Sequence, residues 1–141
     1  MPRLSLVVQG AGAGVPTAAT LRRWIKPALK RDAQLTLRFV NRAEGRRLNR
    51  DFRDRDYATN VLTFNYQRRP VVAADIVLCL PVLRAEAREQ GKALRAHLAH
   101  LLLHGVLHAQ GYDHRTTTQE RRMQARELVL LAAMRIGDPY R

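Results

Sequence analysis

Five histidines fall between His97 and His114, and three of them, His104, His108 and His114, are spaced as metal ligands. Residues four apart on a helix share a face one turn apart, so His104 and His108 turn two imidazoles to one point. Two neutral imidazoles so placed can chelate one tetrahedral ion. A straight helix would carry a third ligand up and around the axis. Gly111 supplies the break, because glycine takes the left-handed conformation that ends a helix. The chain can then turn and bring His114 back. Three protein ligands leave a fourth position for water, which is the arrangement of a catalytic zinc site rather than a closed structural one. The expected cofactor is one Zn2+ ion, although imidazole also suits nickel, copper and iron.

The spacing His-x3-His-x5-His is similar to the metzincin zinc signature, including the glycine three residues after the second histidine. That signature carries a general-base glutamate directly after its first histidine. Gly105 stands there and cannot take a proton. The spacing therefore argues for the metal geometry and against ordinary zinc proteolysis. His97 and His100 lack a matching break and suit surface or ligand-supporting roles. Asp113 suits either of two roles, orienting an imidazole or closing a turn. Cys79 is the single cysteine and lies in the apolar run 76–80, so it reads as core; disulfides and cysteine-bound zinc are excluded.

These side chains need a scaffold, and the pattern supplies one. A strand is expected over 3–8. Gly10, Gly12 and Gly14 follow as a loose connection without P-loop or dinucleotide spacing. A helix is expected over about 17–30, kinked or divided at Pro27. Leu35, Leu37 and Phe39 alternate with polar neighbours, the period of a half-buried strand over 34–40. Asn41 caps a helix over 42–53. A charged loop, 54–60, leads to strands over 61–66 and 73–80. Pro81 opens a helix that Gly91 stops. An apolar helix over about 93–110 carries the first two ligands, and an amphipathic helix follows over about 117–135. The second and third strands, joined through a helix, are expected to be parallel, and the third and fourth to form a hairpin. The fold class is α+β: one domain over 1–141, with a single mixed four-stranded sheet and about five helices.

Of 25 Lys and Arg, only three are lysine, against 12 Asp and Glu, giving a net charge of +13. Such an excess predicts attraction to a polyanion, and arginine suits bidentate contact with phosphate. No apolar run approaches the roughly 20 residues that span a bilayer, and no secretory signal stands at the N-terminus, so the expectation is a cytoplasmic protein with no membrane partner.

The segment His-Gly-x-Leu-His-x-x-Gly-Tyr-Asp-His over 104–114 resembles the signature of the YbeY family, bacterial ribosomal RNA maturation endoribonucleases. Leu48-Asn49-Arg50-Asp51-Phe52-Arg53, then Asp56 and Thr59-Asn60-Val61-Leu62-Thr63-Phe64, resemble its second motif. Ala74-Asp75-Ile76 is similar to the family's Gly-Asp-Ile. Met123, Glu127 and Ile136-Gly137-Asp138-Pro139-Tyr140 resemble its C-terminal pattern. The likeness runs from about Leu35 onward. It implies a sheet against several helices, zinc on His104, His108 and His114, and a functional cleft arginine at Arg53. It further implies cleavage of single-stranded RNA, 16S ribosomal RNA 3′-end maturation, a part in ribosome quality control, and association with the ribosome or its small subunit. Asn60, where many members have Asp, and Ala74 depart from the pattern.

The residues fit phosphodiester hydrolysis on their own chemistry. Zinc can polarise a phosphoryl oxygen or lower the pKa of its water to about 7. Arg53 and His104 are the catalytic candidates, Arg53 to stabilise charge developing on phosphate. Tyr57, Tyr66 and Tyr112 could stack bases, with Phe64 better suited to the core. The general base is open between zinc-bound hydroxide and a route in which the RNA 2′-hydroxyl attacks. Two other functions compete: a ribosome-associated RNA-binding factor with a mainly structural metal, and a zinc peptidase-like hydrolase.

Overall fold

The chain is described by a computed structural model over residues 1–10 and 12–140. Its elements run β1 (Leu4–Gln9), α1 (Ala18–Ile25), β2 (Ala33–Val40), α2 (Arg42–Arg53), β3 (Val61–Gln67), β4 (Val72–Cys79), α3 (Leu80–Glu89), α4 (Leu94–Ala109) and α5 (Thr117–Ala133). Pro27 acts as expected: α1 stops at Ile25 and a 3-10 turn, Lys26–Ala28, replaces further α-helix. Asn41 caps α2, its side-chain oxygen accepting from the Glu44 amide at 2.8 Å.

The sheet order is β1-β2-β4-β3. β1 pairs parallel with β2, and β2 pairs parallel with β4. β3 pairs antiparallel with β4. The hairpin is as expected, but the second and third strands, expected to be parallel, run in opposite directions. β4 lies between them, and β3 is an antiparallel edge. Burial explains the choice. Ile76, Val77, Leu78 and Cys79 are covered on both faces of β4, whereas Asn65, Tyr66 and Gln67 of β3 are exposed. An apolar run belongs inside a sheet and a polar one at its rim.

Alternate residues of the strands serve two layers. Leu35, Leu37, Ile76 and Leu78 join the main core with Leu98, Leu102 and Leu103 of α4 and Leu21 and Ile25 of α1. On the other face α2 covers a smaller cluster of Val40, Leu62, Val77 and Cys79. The rest of that face is open, with Val7 51% exposed. Cys79 is buried, as its setting implied. α4 is the apolar centre of the helical layer. Gly105 lets it approach the sheet: a Cβ there would stand 3.0 Å from Ile76 Cγ2 and 3.4 Å from Thr63 Oγ1. A glutamate at 105 would be driven into the sheet.

Candidate metal centre and its flanking grooves

The end of α4 sets the cluster. Gly111 has φ +109°, the Gly111 amide donates to the His108 carbonyl, and the Tyr112 amide donates to the Leu107 carbonyl. Those two bonds form a Schellman turn, which reverses the chain immediately after His108. Asp113 then pairs through Oδ2 with Arg115 Nε at 3.2 Å and accepts at Oδ1 from the His114 amide at 2.8 Å. That bond also holds the Asp113 carboxyl below its usual range.

The turn brings the third histidine onto the first two. The ring of His114 lies 5.7 Å from that of His104 and 6.1 Å from that of His108, inclined at 24° and 23°. Among the described residues no set of three or more His, Cys, Asp or Glu side chains closes to the spacing of a metal cage. The donor chemistry does fit an imidazole-bound ion. Nδ1 of His108 lies 2.9 Å from the Tyr112 carbonyl, which can only accept. Nδ1 therefore carries the proton, and Nε2 keeps its lone pair. Nδ1 of His104 lies 3.2 Å from Glu127 Oε1, so in the neutral ring the proton sits on Nδ1 there too. Burial pushes the His108 imidazole below its ordinary pKa, toward the neutral form a ligand needs.

Glu127 is the part that spacing did not reveal. It is fully buried on α5, and its carboxylate meets Nδ1 of His104, Nε2 of His100 and the Tyr140 hydroxyl, the last at 2.7 Å. Burial alone would raise its pKa. Hydrogen bonds from His100, His104 and Tyr140 overcome that and hold it at about 2. Burial and the Glu127 carboxylate together push the Tyr140 hydroxyl well above the usual range. A signal was available: Glu127 stands four residues from both Met123 and Leu131, on the apolar face of its helix. His100 thus supports the cluster through Glu127. His97 is buried away from it and pairs with Glu86 at 3.0 Å.

Two grooves flank the cluster. One, of about 160 Å³, is lined by His104, His114, Glu120, Met123, Glu127 and Tyr140 among others. The other, of about 470 Å³, follows β3 and brings His108 together with Arg53, Phe64, Tyr66 and Arg68. Arg53, at the C-terminus of α2, donates to the Thr63 carbonyl at 2.6 Å and lies 5.2 Å over the Phe64 ring. Arg53 and His108 therefore share a groove, while His104 opens into the other. Asn65 ties β3 to α4 by donating to the Ala109 carbonyl at 2.7 Å. Asn60 lies between α3 and β3: its amide donates to both Glu86 oxygens and its oxygen accepts from the Val61 amide. An aspartate at 60 would face the Glu86 carboxylate, so the departure at this position removes a repulsion.

The model of the family described as endoribonuclease YbeY matches residues 16–135. Among relatives, the endoribonuclease YbeY of a Polaromonas species is 60% identical, over 85% of this chain and 79% of its own length. That of an Acidovorax species is 53% identical over 98% of this chain and 96% of its own. A solution structure of a Thermotoga maritima protein superposes with a TM-score of 0.63 at 24% identity, covering 96% of this chain and 99% of that one, which is a likeness of fold. With the family model spanning from Pro16 through the histidine turn to Arg135, this chain belongs to the endoribonuclease YbeY family.

Proposed function

We propose that this chain is a single-strand-specific, zinc-dependent endoribonuclease, with His104, His108 and His114 as the metal ligands and Arg53 as the phosphate-binding group. The observation that carries the reading is the pairing of His104 and His108 with fixed acceptors at Nδ1, next to a groove that also holds Arg53. A zinc ion held by the free imidazole nitrogens would supply Lewis acidity toward a phosphoryl oxygen and a water of lowered pKa.

The chain's own residues do the rest. Glu127 and the Tyr112 carbonyl fix two imidazoles in the tautomer that presents Nε2. One Arg53 donor is committed to Thr63, and a guanidinium has five, so the others remain for a phosphate oxygen on which negative charge grows. The charge of +13 holds a polyanion with little reading of its sequence. Family membership supports a role in 16S ribosomal RNA 3′-end maturation and ribosome quality control, with the ribosome or its small subunit as partner and the cytoplasm as location. No helix among the described residues is long and apolar enough to cross a membrane.

The test compares the protein with its His114→Ala form on single-stranded RNA, with and without chelator. Cleavage that is lost with either change, and restored to the unsubstituted protein by zinc, is the expected result. Cleavage that survives both overturns the zinc reading. If neither form cuts RNA and both bind ribosomes, the metal is structural. Products ending in a 2′,3′-cyclic phosphate would assign the attack to the RNA 2′-hydroxyl rather than to water.

A further inference from the structure

Tyr66 is 68% exposed, more than any other aromatic side chain among the described residues. An exposed ring is normally free to turn, but this one is tethered: its hydroxyl donates to Asp75 Oδ2 at 2.8 Å. The backbone under it is irregular as well. Asn65 pairs with Ala74 and Gln67 with Ala73, which leaves Tyr66 as the extra residue of a bulge. Bulges bend a strand and re-aim a side chain, and they gather beside active sites. The ring lines the β3 groove with His108, Arg53 and Arg68, and also lines a second hollow, of about 310 Å³, on the uncovered part of the sheet. It therefore stands where one hollow passes into the other.

Tyr57 is 51% exposed but lines neither hollow, and other aromatic rings are committed differently. Phe52 meets Phe64 edge-on at 5.5 Å, Lys30 lies 4.6 Å over the Tyr112 ring, and Trp24 is buried. Tyr66 combines an exposed ring, a fixed direction and arginines in the same groove. Single-stranded nucleic acid is held by that combination, with bases stacked on aromatic faces and cations along the backbone. Stacking tolerates any base, because every base has a π-face.

We propose that Tyr66, fixed by Asp75, is the base-stacking platform of a nucleotide subsite next to the cleavage centre, with Arg68 placed for the adjoining phosphate. The subsite takes one unpaired nucleotide of either purine or pyrimidine type. The inference rests on the single-stranded RNA reading of the same groove.

The test is binding of a fluorescein-labelled 12-nucleotide single-stranded RNA of mixed sequence, followed by anisotropy, to the protein and to its Tyr66→Ala and Tyr66→Phe forms. Tyr66→Ala should weaken binding about tenfold with an unchanged melting temperature, and Tyr66→Phe, which keeps the ring but loses the tether, by only about two- to threefold. A series of RNAs with one abasic nucleotide, moved a position at a time, should contain one member for which the protein and Tyr66→Ala bind alike. A merely structural role for Tyr66 would give no such position. If the unsubstituted protein binds the RNA while Tyr66→Ala binds equally well, or no abasic position cancels the difference, the subsite is overturned and the ribonuclease reading stands. If the unsubstituted protein neither binds nor cuts single-stranded RNA, both fall.

Discussion

On the α5 side of the histidine cluster, Glu127 is fully buried and meets three partners; on the β3 side, Arg53 and Tyr66 stand in solvent, each held by one hydrogen bond. The first arrangement suits a group that must not move. A buried carboxylate is costly unless its lone pairs are satisfied, and once satisfied it holds its donors in one geometry. The second suits groups that meet a variable partner. Exposed side chains with a single tether keep their place but can adapt to different bases and phosphate positions. On the proposed zinc reading, orientation of the ligands and reception of the substrate would thus be divided between two sides of one short segment.

The contrast can be broken most severely at the ligands themselves. His108→Ala removes a donor and should lower zinc affinity by more than about 100-fold, beyond the usual loss for a supporting residue, with cleavage abolished; competition with a chromogenic chelator measures this. Glu127→Gln comes next. It should weaken zinc binding by about 10- to 100-fold, because His104 loses its anionic partner. The same change should alter acid stability. The Glu127 carboxyl is held at about 2 in the fold against 4.5 ordinarily, so its contribution is complete above pH 4.5 and is lost as pH falls through about 2. Urea unfolding should show a gap between the two proteins of up to about 3 kcal/mol at neutral pH that narrows below pH 4.5. A gap independent of pH would mean that Glu127 acts by packing alone.

On the open side the sign of the contrast reverses. Arg53→Ala should lower kcat/KM by about 10- to 100-fold while changing stability by less than about 1 kcal/mol, and Arg53→Lys should not restore the rate, because a point charge does not reproduce the planar fork. A large fall in stability would place Arg53 with Glu127 rather than opposite it. The smallest effect on cleavage is expected at Gly105. Gly105→Ala should destabilise by about 1–3 kcal/mol, since its Cβ would meet Ile76 at 3.0 Å, yet leave the rate per folded molecule nearly unchanged.

Most of the α4 side was legible in the sequence. His104 and His108 follow from helical periodicity, and Gly111 marks a turn that only a few residue types accept. The strands and helices also follow from period and punctuation, with Pro27, Asn41 and Gly91 acting where their chemistry requires. What could not be read was pairing across the fold. Nothing local states that β4 comes between β2 and β3, because strand order is decided by which run can be buried on both faces. Glu127 was visible as a carboxylate on an apolar face, but its partners were not, since they depend on how α5 lies on α4. Tyr140 reaches Glu127 from beyond the end of α5, where no periodicity operates.

The Schellman turn at Gly111 carries a consequence for how the centre assembles. The three imidazoles are drawn from 104–114, so the loop closed between the second and third donors is very short. The entropy of loop closure grows with the logarithm of loop length, so gathering these donors asks little of the chain beyond forming one helix end. If these imidazoles hold zinc as proposed, metal capture would accompany the formation of α4 and would not wait for long-range strand pairing. The Glu127 contact spans the fold and forms only when α5 docks. A partly folded chain is thus expected to hold zinc loosely, and docking of α5 to tighten it.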